Sequence, residues 1–125
     1  MTSTVHQVTI DCASPAALAR FWAAVLDQPA EYDSVPEDDD WASVSGSPRL
    51  LFLKVPEPKR VKNRLHLDLT PSTPRAEEVS RIEVLGGKVV ADFYEHGRWT
   101  LMRDPEGNEF CVLRSLSEKQ ADGDA

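Results

Sequence analysis

The sequence predicts an α+β chain made of two tandem β-α-β-β-β modules, on three observations. Residues 5–12 alternate apolar and polar positions at strand period and lead into an amphipathic helical pattern opened by Ser14-Pro15. The second half returns to the same order, with a short alternating stretch, the pair Thr73-Pro74, and another helical pattern. The landmarks keep a nearly constant offset, 59 residues from Ser14-Pro15 to Thr73-Pro74 and 58 from Trp41 to Trp99, which marks an internal duplication.

In chain order, the first strand over 5–12 places Val8, Ile10 and Cys12 on one face and Gln7, Thr9 and Asp11 on the other. The helix over about 15–27 carries Ala17, Leu18, Phe21, Trp22, Val25 and Leu26 at helical spacing, with Trp22 directed to the core. Three short strands follow near 30–34, 41–45 and 50–55. The acidic run Glu37-Asp38-Asp39-Asp40 and the breaker Ser45-Gly46-Ser47-Pro48 separate them. A connector stiffened by Pro56 and Pro58 leads to a strand over 64–70. There Leu65 and Leu67 face the core and Arg64, His66, Asp68 and Thr70 face away.

A helix over about 74–85 carries Ala76, Val79, Ile82 and Leu85, and Gly86-Gly87 stops it. Strands near 88–93, 98–103 and 109–114 complete the second module. The segment Asp104-Pro105-Glu106-Gly107-Asn108 is read as hairpin-turn chemistry. Residues 1–116 are expected to form one domain, with modules over about 5–56 and 63–115 and a disordered tail over 117–125. A single module has only a small sheet with a helix on one face, so two are expected to pair and enclose an open cleft.

The formal charge is −7, drawn in part from the acidic run and from the tail, both read as solvated. That balance argues against nucleic acid as a partner and suits a neutral or cationic small ligand. No stretch approaches a bilayer-spanning length and the N-terminus has no signal character, so a cytoplasmic protein without membrane partners is expected. Cys12 and Cys111 sit in apolar runs and are expected to be free thiols.

Several residues stand out as candidates for chemistry. His66, with Asp68 two positions on, is either an acid-base or metal-ligating pair or a hydrogen-bonded histidine in a cleft wall. Gln7, Thr9 and Asp11 form a second polar row able to bond a ligand. Cys111 becomes a thiolate only if a cation lowers its pKa, and is otherwise an inert thiol. Trp41 and Trp99 occupy equivalent positions and either stack on a planar ligand or pack in the core. Lys62 and Arg64 either close over an anionic ligand or simply end the linker.

Three segments, TIDCASPAALARFWAAVLD, VPEPKRVKNRLHLDL and WTLMRDPEGNEFCVL, resemble the vicinal-oxygen-chelate superfamily, in particular its glyoxalase-like domains (the glyoxalase/bleomycin resistance/dioxygenase family), over about residues 5–115. The resemblance implies a curved mixed sheet with an open cleft, and homodimers. In metal-dependent relatives such as glyoxalase I it implies four metal ligands, at positions that correspond here to Gln7, Leu53, His66 and Cys111. Only His66 is of a usual ligand type. The expected protein therefore binds a small organic molecule without that quartet. The alternative is a lyase, isomerase or dioxygenase using a divalent metal held by a displaced set that includes His66.

Overall fold

The computed structural model describes residues 2–92, 99–121 and 123. The chain forms two compact units, Met1–Arg60 and Val61–Ala125, with the boundary inside the proline-stiffened connector.

The first unit runs β1 (Gln7–Cys12), α1 (Pro15–Leu26), β2 (Ala30–Tyr32), β3 (Trp41–Val44) and β4 (Arg49–Lys54). Its sheet has the order β1-β4-β3-β2, with β1 parallel to β4 and the other neighbours antiparallel. A parallel pair cannot be joined by a tight turn, so the chain crosses over through α1 and returns by a meander. Leu18, Ala19, Phe21, Trp22 and Val25 of α1 are buried, as are Ala42, Val44, Leu50 and Phe52 of the strands that α1 packs on. Trp22 lies in this core as expected, edge-on to Phe21 with ring centroids 5.3 Å apart.

The start of α1 differs from expectation. Ser14 is the N-cap residue but its side chain makes no capping hydrogen bond. Instead the N–H of Ala16 donates to Asp39 Oδ1 at 2.9 Å. Asp39 reaches it from a left-handed backbone conformation with φ 45°. Asp33 shapes the same loop, its carboxylate accepting from the N–H of Val35 at 3.0 Å and of Asp40 at 3.2 Å. The acidic run is thus partly a helix cap, placed where the positive end of α1 favours a carboxylate.

The second unit runs β5 (Leu67–Leu69), α2 (Arg75–Leu85), β6 (Lys88–Asp92), β7 (Trp99–Arg103), β8 (Glu109–Leu113) and α3 (Leu116–Ala121). Its sheet repeats the topology as β5-β8-β7-β6, with β5 parallel to β8. Ile82, Met102, Phe110 and Val112 are buried. Gly86 ends α2 at φ 120°, and a Cβ on Gly87 would lie 2.6 Å from Ile82 Cγ2, so only glycine lets the chain turn so tightly against the helix. In the β7–β8 turn, the buried Asp104 carboxylate accepts from the N–H of Glu106, the N–H of Asn108 and Asn108 Nδ2. Gly107 has φ 87°, so the hairpin reading of this segment is correct.

Three expectations for this half are corrected. The strand expected over 64–70 is three residues long, and Leu65 is 84% exposed instead of buried. Just upstream, Asn63 donates its N–H to Glu109 Oε2 at 3.3 Å and its Nδ2 to the Glu109 carbonyl at 3.2 Å. Glu109 therefore bonds an asparagine where a longer ladder would need it. Pro74 is the N-cap residue of α2 and not its first helical residue. Finally, the tail expected to be disordered carries α3, which opens with a capping box. The Ser115 N–H donates to Glu118 Oε1 at 2.9 Å and the Glu118 N–H to Ser115 Oγ at 3.2 Å. The same Glu118 Oε1 accepts from the Arg75 N–H at 2.7 Å, capping α2 as well.

Among the described residues no helix is long and apolar enough to cross a membrane.

Replacing either capping carboxylate should cost stability where its neighbours do not. Asp39→Ala and Glu118→Ala are expected to lower unfolding free energy by about 1–2 kcal/mol each, and Asp38→Ala to leave it within about 0.5 kcal/mol, in urea titrations. Partial burial raises the Glu118 carboxyl, but hydrogen bonds from Ser115 and Arg75 outweigh it and hold the group below the ordinary carboxylate value. Its contribution is therefore present above the unfolded-state pKa and lost as pH falls through the depressed folded value.

Candidate functional site

The site follows from strand register. On β8, Cys111 lies opposite Asp68 of β5 on one side and Leu101 of β7 on the other, so these three residues make one row across the sheet. Trp99 and Leu113 pair in the next row, and His66 stands two residues before Asp68. The face is opposite the one that buries Phe110 and Val112. It lines a pocket of about 310 Å³ formed by Lys62, His66, Asp68, Trp99, Leu101, Cys111 and Leu113. The polar groups come from the connector and β5, the apolar ones mainly from β7 and β8.

His66 Nε2 lies 3.2 Å from Asp68 Oδ1, with both side chains about half exposed. The carboxylate fixes the ring orientation, which suits the imidazole to giving and taking a proton. Burial pushes the Cys111 thiol up from its ordinary pKa. The Asp68 charge and a hydrogen bond to that carboxylate push the same way, and the Lys62 ammonium opposes them more weakly. At neutral pH Cys111 is therefore a protonated donor to Asp68 and not an activated nucleophile.

His66, Asp68 and Cys111 each offer a ligand atom, all within 4.8 Å of one another. An imidazole, a carboxylate and a thiol are the donor types of a three-residue zinc-like site with an open position. Holding an ion would need the atoms to draw slightly closer and Cys111 to lose its proton.

Of the residues singled out from sequence, His66, Asp68, Trp99 and Cys111 meet in this pocket. Lys62 joins them, Arg64 of the same unit is not among the lining residues, and the remaining candidates lie in the first unit. Asp11, Leu53 and Trp41 form one row across β1, β4 and β3, with Leu53 40% exposed. Thr9, Leu51 and Ser43 form the neighbouring row. Gln7 opens β1, and its Oε1 is buried with no hydrogen-bond partner among the described residues. None of these five candidates lines a second, smaller pocket of about 180 Å³ beside the start of α1, which Arg20, Tyr32, Asp33 and Asp39 help to form.

The pairing also revises one equivalence. Leu50 and Phe52 of β4 sit opposite Val8 and Ile10, as Phe110 and Val112 of β8 sit opposite Leu67 and Leu69. The counterpart of Cys111 is thus Leu51, opposite Thr9, and Leu53 matches Leu113. The β7–β8 hairpin carries one more residue pair, Arg103 with Glu109, beyond the pair that matches Val44 with Leu50. Sequence reasoning named neither Leu101 nor Leu113 for the site. Their signal was period 2, since each lies two residues from a residue that was named.

Cys111 reactivity reports this electrostatic arrangement. Asp68→Asn removes both the charge and the ionised acceptor, so alkylation of Cys111 by iodoacetamide at pH 8 should become several-fold faster. Lys62→Ala should slow it. Peptide mass spectrometry, with Cys12 as internal reference, reads both rates.

Residues 7–113 match the family model described as the glyoxalase-like domain. Among solved structures, a glyoxalase/bleomycin resistance protein/dioxygenase family enzyme from Burkholderia phytofirmans PsJN is 16% identical. Its alignment covers 88% of this chain and 97% of that one, with a TM-score of 0.69. The fosfomycin resistance protein FosX from Mesorhizobium loti is also 16% identical, with 97% and 99% covered and a TM-score of 0.67. Leishmania major glyoxalase I is 14% identical, with 98% and 94% covered and a TM-score of 0.65. No curated protein matches the chain in sequence. At these identities the structures share its fold, and the family match spans nearly the whole of it: the chain belongs to the glyoxalase-like domain family of the vicinal-oxygen-chelate superfamily.

Proposed function

We propose that this protein binds a small organic molecule in the pocket of its second unit. The observation that carries the reading is the division of that pocket into an apolar floor of Trp99, Leu101 and Leu113 and a polar rim of Lys62, His66 and Asp68. A mostly apolar concavity with a few convergent polar groups is the usual form of a small-molecule site, and about 310 Å³ lies at the small end of the range. The structural relatives include proteins named for fosfomycin resistance, a role that involves a compact organic molecule. In this reading His66 and Asp68 orient the ligand's polar end, and Cys111 remains a thiol.

A thermal-shift screen of metabolites, aldehydes and antibiotics, followed by titration, tests the proposal. A true ligand should raise the melting temperature, and Leu101→Gln and Trp99→Ala should weaken it at least tenfold while the far-UV spectrum stays unchanged. Ligands that bind both variants as well as the parent would place binding elsewhere and sink the proposal.

The convergence of His66, Asp68 and Cys111 favours a second reading, a lyase, isomerase or dioxygenase that uses a divalent metal. Those three residues would hold the ion, which would polarise a substrate oxygen or acidify a bound water. Cobalt(II) titration discriminates the two readings. The enzyme reading expects one equivalent taken up with a thiolate-to-cobalt absorption band that disappears in Cys111→Ser and weakens in His66→Ala. Absence of stoichiometric uptake rejects it.

A further inference from the structure

The charges at the pocket rim are unequally committed. Among the described residues Asp68 is the only acidic one lining the pocket, and it already faces two donors, His66 Nε2 at 3.2 Å and the Cys111 thiol. Lys62 is the other fully charged group there, and its ammonium forms no ion pair among the described residues. An incoming cation would compete with His66 and Cys111 for Asp68 while being repelled by Lys62. An incoming anion meets an unpaired ammonium and disturbs neither contact.

The remainder of the pocket sets the ligand's body. Trp99, 37% exposed, lines the pocket beside Leu101 and Leu113, and the volume admits about one ring with its substituent. From this asymmetry we infer that the ligand is an anion: a carboxylate, phosphonate or phosphate on a single-ring or similarly small apolar body, with the charged end at Lys62. The inference rests on the reading that this pocket binds an organic molecule. It reverses the expectation drawn from the net charge of −7, because none of the residues Glu37 to Asp40 lines the pocket.

Titration of the full chain with benzoate, benzamide and benzylamine, three ligands of nearly equal shape, followed by Trp99 fluorescence and amide chemical shifts, tests the inference. Phenylphosphonate, added as a fourth ligand, separates carboxylate from phosphonate recognition. Benzoate or phenylphosphonate should bind about fivefold more tightly than benzamide, the scale of one half-exposed ion pair, with benzylamine weakest. Lys62→Gln should abolish that order, and Lys88→Gln, on β6, should preserve it. If benzamide or benzylamine binds this pocket at least as tightly as both anions, the anion inference falls and the pocket reading stands. If none of the four perturbs Trp99 or Leu101 at millimolar concentration, both fall.

Discussion

The site depends on one register, the parallel pairing of β5 with β8 that sets Asp68 against Cys111. Because side chains alternate between faces, a slip of a single residue would turn Cys111 into the core and Phe110 or Val112 out of it. The register is held from both ends. Phe110 and Val112 are fully buried beneath the sheet, and Asn63 clasps Glu109 just before β5 begins. Parallel neighbours require a long crossover, so α2 and the β6–β7 hairpin must form for this short strand to have a partner. A polar strand and an apolar hairpin then share one face, which is why a single pocket has two chemical halves.

Carboxylates that look like solvated charge in the sequence hold this frame in place. Asp39 lies 23 residues from the N–H it caps and Glu118 lies 43 residues from the Arg75 N–H. In each unit the helix that follows the first strand receives its cap from a distant loop or from the tail. Glu118 closes its own capping box with the same oxygen, so α3 and the start of α2 depend on one group. Helix α3 therefore belongs to the second unit's structure. Arg75, buried at the start of α2, extends the connection with its guanidinium 3.8 Å from Asp92.

Periodicity made the faces legible but not where pairing stops. The core positions of α1, the Gly86 stop, the Asp104–Asn108 turn and the shared face of His66 and Asp68 were all readable, because each is a local pattern of 2.0 or 3.6 residues or a demand on φ. Leu65 fits the same alternation and is nevertheless exposed, since ladder ends depend on what the partner strand's groups bond, here Asn63. The caps were missed for a similar reason: Ser14 and Thr73 are good local candidates, and a tertiary carboxylate leaves no local trace. Assigning Leu53 in place of Leu51 was an error of two residues. It kept the side chain on the correct face, so alternation alone gave no warning.

The pocket's chemistry turns on one proton. Asp68 accepts from both His66 and Cys111, and that arrangement requires the thiol to keep its hydrogen. An organic ligand seated on Trp99, Leu101 and Leu113 leaves the arrangement intact. A metal ion held by the same three residues does not, because Cys111 must deprotonate and Asp68 must exchange two donors for the ion, with release of a proton. Lys62 assists that deprotonation weakly, whereas burial and Asp68 resist it. The two readings are thus alternative protonation states of one cluster. In the ion-free protein the balance of burial, carboxylate and ammonium lies with the neutral thiol.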